Sequence, residues 1–126
     1  MNTPLPTLAP PGGHYRHAVC HGDLVFVSGQ LGARPDGTHT AELPFEDQVR
    51  QALANLRAAL ASSGADLDSV VKLTAYIVDV ALWPRFNAVY ASVMGEARPA
   101  RTVVPVPELH YGYLVELDAI AVRRAP

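Results

Sequence analysis

The segment at residues 114–122 constrains the fold most, because it reads as a strand with one wholly apolar face and one mixed face. Read as a strand, it places successive side chains on opposite faces of a sheet. One face is wholly apolar and consists of Val115, Leu117, Ala119 and Ala121. The other face mixes apolar residues with two carboxylates and consists of Leu114, Glu116, Asp118, Ile120 and Val122. We expect helices to cover the first face, whereas the composition of the second is typical neither of a solvated face nor of a pure core face.

Four further strands are predicted. Two lie within residues 15–31, where the run at 24–27 is rich in β-branched and aromatic residues. A third lies at 70–78, where apolar and polar residues alternate. A fourth lies at 102–106, and Pro105 favours an edge position for it because proline cannot donate to a neighbouring strand.

Two amphipathic helices complete the pattern. The first is predicted over 45–63, with Gly64 as its stop, and the second over about 82–93. Their apolar stripes are Val49, Leu53, Leu56 and Leu60 in the first helix, and Leu82, Phe86, Val89 and Val93 in the second.

The resulting order, ββαβαββ, predicts an α+β fold with two helices on one face of a sheet. Two helices leave the other face uncovered. That face would carry Ile120 and Val122, together with either Val25 and Val27 or Leu24 and Phe26. A second copy of the chain is the economical cover for it.

Length and composition exclude several classes of protein. The chain has 126 residues, enough for one domain, which we place at 14–126 behind an extended leader at 1–13 that is rich in proline and glycine. Hydrophobic residues make up 49% and charged residues 17%, which excludes a disordered chain. The net charge of −2 and the scattered basic residues argue against binding to nucleic acid or to an anionic membrane.

The cysteine and histidine patterns indicate neither disulfides nor a metal. Cys20 is the single cysteine, and we expect it to be a small core residue. His14, His17 and His21 lack the spacing that would bring them to one metal ion on a strand. No signal-peptide pattern or long apolar run is present, so we predict a cytoplasmic protein.

Two residues are candidates for chemistry. Glu116 lies among apolar side chains, where lost hydration would raise the pKa of its carboxyl group toward the range of a general acid or base. Arg101 precedes a strand and is suited to binding a carboxylate. Taken alone, each residue is better explained as structural, Glu116 as the partner of an arginine at an interface and Arg101 as an exposed surface residue.

Six segments stand in a characteristic order and spacing along the chain. They are GDLVFVSGQ at 22–30, QxxQALxNL at 48–56, VKLT at 71–74, FNxxY at 86–90, PART at 99–102 and VELDAIA at 115–121. Together they resemble the RidA/YjgF family, formerly known by a perchloric-acid-soluble endoribonuclease name. The resemblance runs from about residue 15 to residue 124, nearly the whole predicted domain.

The resemblance implies a chorismate-mutase-like fold with a mixed sheet. It also implies a homotrimer in which the open sheet faces form a barrel-like centre, with clefts between neighbouring subunits. Members studied as enzymes hydrolyse enamines and imines, such as 2-aminoacrylate, to 2-keto acids and ammonia without a cofactor. A small imino or keto acid is therefore the implied partner.

The resemblance also implies roles for individual residues. Arg101 would bind the substrate carboxylate and Glu116 would activate water. The other residues implied to line the cleft are Tyr15, Ser28, Gly29, Asn87 and Val103, the last of which stands where many members have a cysteine. The aromatic loop at 109–113 departs from the family pattern and is expected to border the cleft, which favours a larger substrate.

Three other functions are considered beside hydrolysis. The same cleft could bind a keto or amino acid without turnover and regulate a partner, although an intact Glu116 argues against this. A ribonuclease is disfavoured by the acidic net charge. A purely structural trimer, in which Arg101 and Glu116 merely pair across an interface, predicts no ligand binding.

Overall fold

The structure, a computed structural model, describes residues 8–124 and has the predicted element order within them. The strands are β1 (Ala18–His21), β2 (Leu24–Gln30), β3 (Val70–Ile77), β4 (Ala100–Pro105) and β5 (Val115–Val122). The helices are α1 (Phe45–Ala61) and α2 (Trp83–Met94). The order ββαβαββ is therefore confirmed, with boundaries that differ from the predicted ones by one to three residues at most positions.

The five strands form one mixed sheet in the order β1-β2-β5-β3-β4. β3 and β4 are parallel, and the other neighbouring pairs are antiparallel. A parallel pair needs a long crossover connection, and α2 provides it. β4 lies at the edge, as Pro105 predicted.

The alternation of buried and partly exposed residues along β5 shows on which face of the sheet the core lies. The predicted apolar face of β5 is buried against α1, and Val25 and Val27 of β2 join it. Leu24 and Phe26 therefore belong to the other face, which settles the choice that the sequence left open. We call this second face the open face, since neither helix covers it. Its partly exposed apolar residues include Val19, Leu24, Phe26 and Val122.

The helix ends follow from local chemistry. Glu46 and Asp47 lie in the first turn of α1, where the helix dipole favours acids. After Ser62 the chain turns at Gly64, whose φ of 77° suits glycine. Pro84 occupies the first turn of α2, where its missing N–H has no helical partner to lose.

The predicted stripe of α2 is wrong at its last turn. Val93 is 40% exposed, and Met94 is buried in its place. Val89 is buried as predicted, but the longest buried row of α2 consists of Phe86, Tyr90 and Met94, which are four residues apart. Such a row is inclined to the helix axis, so the contact drifts away from Val93 toward the end of the helix.

The prediction that Cys20 is a core residue is also wrong, because Cys20 is exposed. It pairs with Val25 and so lies on the side of the sheet that carries the helices. However, α1 packs on β2 and β5, and the edge strand β1 lies beyond its reach.

The predicted leader falls partly outside the described residues, which exclude 1–7. Residues 8–13 contain neither helix nor strand, and Leu8 packs against the core. Across residues 8–124, no helix is long and apolar enough to cross a membrane.

Candidate active site

The residues assigned to the site fall into two groups on opposite faces of the sheet. Glu116 pairs in register with Tyr76 on the open face. Arg101 pairs in register with Leu73, whose side chain is buried on the helix face. Strand β3 also separates β4 from β5. One copy of the chain therefore does not bring Arg101 and Glu116 into one site.

The first group surrounds a cavity of about 720 Å³, which we call the glutamate cavity. Four of the assigned residues line it: Tyr15, Ser28, Gly29 and Glu116. The cavity lies at the β1–β2–β5 end of the sheet.

Glu116 is half-buried on the floor of the cavity and is packed tightly against Gly29 of β2. A Cβ added to Gly29 would lie 3.0 Å from the Cδ atom of Glu116 and closer still to Oε2. Gly29 is therefore needed for the close approach of the Glu116 side chain to the β2 backbone.

The pKa of Glu116 is raised above its ordinary value, chiefly because burial removes hydration. The charge of His110 opposes this shift, and the charge of Asp118 adds to it. Within residues 8–124, no donor lies at hydrogen-bond distance from the Glu116 carboxylate. Such a carboxylate is free to accept a proton from a bound water molecule.

A bulge in β2 shapes the cavity next to Glu116. The register between β2 and β5 shifts between Val27 and Gln30, so Ser28 and Gly29 lie out of the regular ladder. Ser28 is held there twice: its Oγ donates to the Arg16 carbonyl at 2.6 Å, and its N–H donates to the His17 carbonyl at 2.9 Å.

One wall of the cavity comes from the segment before β1. The Nε2 atom of His17 donates to the Ala9 carbonyl at 2.7 Å, and the Nε2 atom of Gln30 lies 3.1 Å from the His17 Nδ1 atom. The Tyr15 hydroxyl accepts a hydrogen bond from the Gly12 N–H at 3.3 Å. This segment of the predicted leader thus helps to form the cavity, which its proline and glycine content did not reveal.

The opposite wall consists of His39, His110 and Tyr111. His39 lies on the loop after β2, which two buried amides of α1 hold in place. The Nδ2 atom of Asn55 donates to the carbonyls of Leu31 and Ala33 at 2.8 and 2.7 Å. Sequence analysis missed His39, because it lies in a polar loop without a motif.

A second amide, that of Gln48, joins this loop to β5. Its Nε2 atom donates to the carbonyls of Ala41 and Leu43, and its Oε1 atom accepts a hydrogen bond from the Leu114 N–H. The QxxQ segment of α1 therefore acts as support for the wall that faces Glu116.

The second group surrounds Arg101, and we call it the arginine cluster. The Arg101 Nη1 atom donates to the Oδ1 atom of Asn87 at 3.0 Å. Its guanidinium lies 4.8 Å from the ring centre of Tyr90, and farther from those of Phe86 and Trp83. No carboxylate pairs with Arg101 among the residues that the structure describes. An amide and aromatic rings thus hold the Arg101 guanidinium in position. Its remaining N–H groups are left to donate to an anionic ligand.

Val103 lies two residues beyond Arg101 on the same side of β4. Its side chain is partly buried and packs against the core.

Metal binding finds no support in the described part of the chain. In residues 8–124, no group of three or more histidine, cysteine, aspartate or glutamate residues could hold a metal ion. His17, one of the three histidines near the N-terminus, uses both ring nitrogens within the protein.

Comparison with known proteins identifies the family. The family model described as Endoribonuclease L-PSP matches residues 7–123. The chain is 37% identical over 111 residues to a RutC family protein of Pyrococcus horikoshii, which covers 88% of each chain. It is 35% identical over 123 residues to a 2-iminobutanoate/2-iminopropanoate deaminase of Dermatophagoides farinae, which covers 97% of this chain and 94% of that protein.

The fold agrees with a solved structure as well. The crystal structure of E. coli TdcF with bound serine superimposes with a TM-score of 0.86 at 30% identity, over 93% of this chain and 94% of that one. The predicted fold class, with its mixed sheet and two helices, is thereby confirmed. The family model, these relatives and the solved structure agree, and the chain belongs to the RidA/YjgF/RutC family.

Proposed function

We propose that this protein is a deaminase that hydrolyses reactive 2-imino acids and their enamine tautomers to 2-keto acids and ammonia. The observation that carries the proposal is the state of Glu116: half-buried, unpartnered within residues 8–124, and facing a cavity large enough for a substrate. A relative named 2-iminobutanoate/2-iminopropanoate deaminase, 35% identical over most of the chain, supports the choice of reaction.

The site is proposed to form between two subunits of a homotrimer. Glu116 lies on the open face and Arg101 on the other, so a single copy cannot place both on one small substrate. The partly exposed Leu24, Phe26 and Val122 give the open face an apolar surface for a neighbouring copy. In this arrangement, the edge strand β4 of one subunit brings its Arg101 toward the glutamate cavity of the next.

Arg101 would hold the substrate carboxylate. The guanidinium is fixed on one side by Asn87 and over the ring of Tyr90, and has no acidic partner in the described chain. A bound carboxylate would complete its hydrogen bonds in a charge-assisted pair. Fixing this end of the substrate would set the position of C2 relative to Glu116.

Glu116 would carry the proton transfers of the hydrolysis. As a carboxylate, it takes a proton from water while the water oxygen bonds to C2 of the protonated imine, whose π electrons move to nitrogen. The protonated Glu116 then gives that proton to the nitrogen, which leaves as ammonia when the C2–N bond breaks. The remaining hydroxyl proton passes to Glu116 and then to solvent, which leaves the keto acid.

The proposal is tested by measuring keto acid and ammonia release from imines generated in situ from alanine. The purified protein should accelerate release above the spontaneous rate. Arg101→Ala and Glu116→Ala, each checked for folding and assembly, should both lose the acceleration. No acceleration by a folded, assembled wild type would refute the proposal.

A regulatory protein that only binds a carboxylate ligand is the alternative. It is favoured by one outcome: keto acid binding that requires Arg101, without turnover and without a need for Glu116. The cytoplasmic location predicted from the sequence is part of the proposal, and fractionation of cells that express the chain would test it.

A further inference from the structure

The glutamate cavity contains an aromatic wall that hydrolysis itself does not require. The rings of His39 and Tyr111 are stacked, with centres 4.5 Å apart and planes inclined by 28°. Both residues line the same cavity as Glu116. We call this pair the ring wall.

The orientation of His39 is fixed from behind by Tyr113. The Tyr113 hydroxyl accepts a hydrogen bond from the Thr40 N–H at 3.0 Å and is also hydrogen-bonded to the Nδ1 atom of His39, 2.9 Å away. Tyr113 itself is buried. This hydrogen bond and the edge-on contact with the Tyr113 ring hold the His39 ring in one plane before any ligand arrives.

Tyr111 adopts a backbone conformation that tyrosine rarely uses. Its φ of 61° and ψ of 16° lie in the left-handed region, and it is the only residue other than glycine with positive φ among residues 8–124. The side chain is 63% exposed, so no core packing explains the strain. Strain of this kind is found where a side chain must be presented in one direction, often at a binding site.

Tyr111 also bridges two segments that line the cavity. Its hydroxyl lies 3.7 Å from the point where a Cβ on Gly12 would stand, so its ring reaches from the loop before β5 to the segment before β1. A ligand that extends from Glu116 toward this segment would therefore meet an aromatic ring.

The size and charge of the cavity limit the ligand further. Its volume of about 720 Å³ falls in the range of roughly 300–1,000 Å³ that is usual for drug-sized ligands. A three-carbon imino acid would fill little of it. Among the described residues that line it there is no lysine or arginine, and Glu116 is acidic. A second carboxylate on the substrate would face Glu116 and would find histidine, but no lysine or arginine, to offset its charge.

We propose that the ring wall selects 2-imino acids whose side chain is a planar ring, in preference to branched aliphatic, and above all acidic, side chains. This inference rests on the proposed function, because it assigns the side-chain end of the same cavity. The ring of the substrate would stack on Tyr111, while its carboxylate lies toward the neighbouring Arg101. Stacking of two aromatic rings favours binding by roughly two- to tenfold beyond the area buried.

The test compares imines generated from phenylalanine, leucine and glutamate. The expected order of kcat/KM is phenylalanine, then leucine, then glutamate, with a ratio of roughly two- to tenfold between the first two. Tyr111→Asn removes the ring, while asparagine tolerates the left-handed backbone. This variant should reduce the phenylalanine-to-leucine ratio toward one. Tyr111→Phe keeps the ring and should keep the ratio.

A second readout separates this inference from the proposed function. Binding of phenylpyruvate and of 4-methyl-2-oxopentanoate to the assembled protein is measured by calorimetry. Tighter binding of phenylpyruvate, lost in Tyr111→Asn and kept in Tyr111→Phe, supports the ring wall even if no imine is hydrolysed. Equal binding of the two keto acids, or a preference that survives Tyr111→Asn, overturns it even if alanine-derived imine is hydrolysed.

Discussion

Gly29 and Glu116 are in such close contact that any side chain on residue 29 would displace the carboxylate. A Cβ on Gly29 would lie 3.0 Å from the Glu116 Cδ atom. The contact joins the bulge of β2 to the central strand β5, and it places the proposed general base against a backbone that cannot give way. The position of Glu116 is thus set by the absence of a side chain on its neighbour.

Gly29→Ala should therefore reduce activity more than it reduces stability. The Glu116 side chain can rotate away from a new methyl group, but the carboxylate then moves by about an ångström, which can cost roughly 100-fold in rate. The measurement is kcat/KM for an alanine-derived imine, with the melting temperature recorded beside it.

Gly32→Ala is the matched control for Gly29→Ala. Its Cβ would lie 3.0 Å from the Gln48 carbonyl oxygen, a backbone atom of α1 that cannot rotate away. This variant should lower the melting temperature while the folded fraction keeps most of its activity. The opposite pattern, with Gly29→Ala unstable and Gly32→Ala inactive, would contradict the account of the cavity floor.

Glu116→Gln should abolish most of the activity and yet stabilise the folded protein at neutral pH. Loss of a general base typically costs about 10²–10⁴-fold in rate. Burial raises the pKa of Glu116 above its ordinary 4.5, so the folded protein binds a proton where the unfolded chain has lost it. The free energy of unfolding of the wild type therefore falls as pH rises from the pKa of Glu116 in the unfolded chain to its higher pKa in the folded protein. Glutamine carries no charge at any of these pH values, so the variant does not lose this stability.

The predicted gain in stability of Glu116→Gln can be checked by its pH dependence. Melting temperatures of wild type and Glu116→Gln should differ at pH 7 and converge below about pH 4, where the carboxyl group is protonated in both states. A variant that is less stable than wild type at pH 7 would mean that Glu116 is an ion-pair partner rather than an isolated base.

His110 should tune the acid limb of the activity profile. Burial raises the pKa of Glu116, and the positive charge of His110 partly offsets this rise. His110→Ala should therefore move the acid limb of kcat/KM to higher pH, because the carboxylate form of Glu116 becomes harder to reach. His110→Lys keeps a positive charge and should leave the limb closer to that of wild type, whereas equal profiles for all three proteins would exclude this role.

Asn87 should act through Arg101 and mainly on substrate binding. Its Oδ1 atom holds the Arg101 guanidinium at 3.0 Å. Asn87→Ala should raise KM by about tenfold, the usual value of a hydrogen bond to a charged group, with a smaller effect on kcat. Asn87→Asp should raise KM further, because the new carboxylate competes with that of the substrate. A fall in kcat at unchanged KM would argue against this division of labour.

Much of the fold could be predicted because patterning and packing agree in the central elements. The alternation of Val115, Leu117, Ala119 and Ala121 identified the buried face of β5, and the stripe of α1 identified its partner. The errors fall at the margins of the helical layer. Val93 lies where α2 drifts off the core, and Cys20 lies on an edge strand that no helix reaches.

The site was harder to predict, because its walls depend on contacts between segments far apart in the chain. Glu116 and Gly29 were found from the strand pattern and the family motif. His39 and the segment before β1 were not, since polar loops and proline-rich segments carry no periodicity that indicates what they cover. Tyr113 was expected to border the cleft, yet it is buried behind His39, which no spacing rule could show.

The central claim, that one active site takes Arg101 from one subunit and Glu116 from another, is tested most directly by mixing two inactive variants. Arg101→Ala and Glu116→Ala chains are co-expressed with different tags, and assemblies that contain both are purified. Neither variant alone should release keto acid or ammonia faster than the spontaneous rate. In each trimer that contains both variants, one of the three sites, or about one third, should combine an intact Arg101 with an intact Glu116. The account predicts that activity returns to about that fraction of wild type, whereas mixed trimers as inactive as their parents would contradict it.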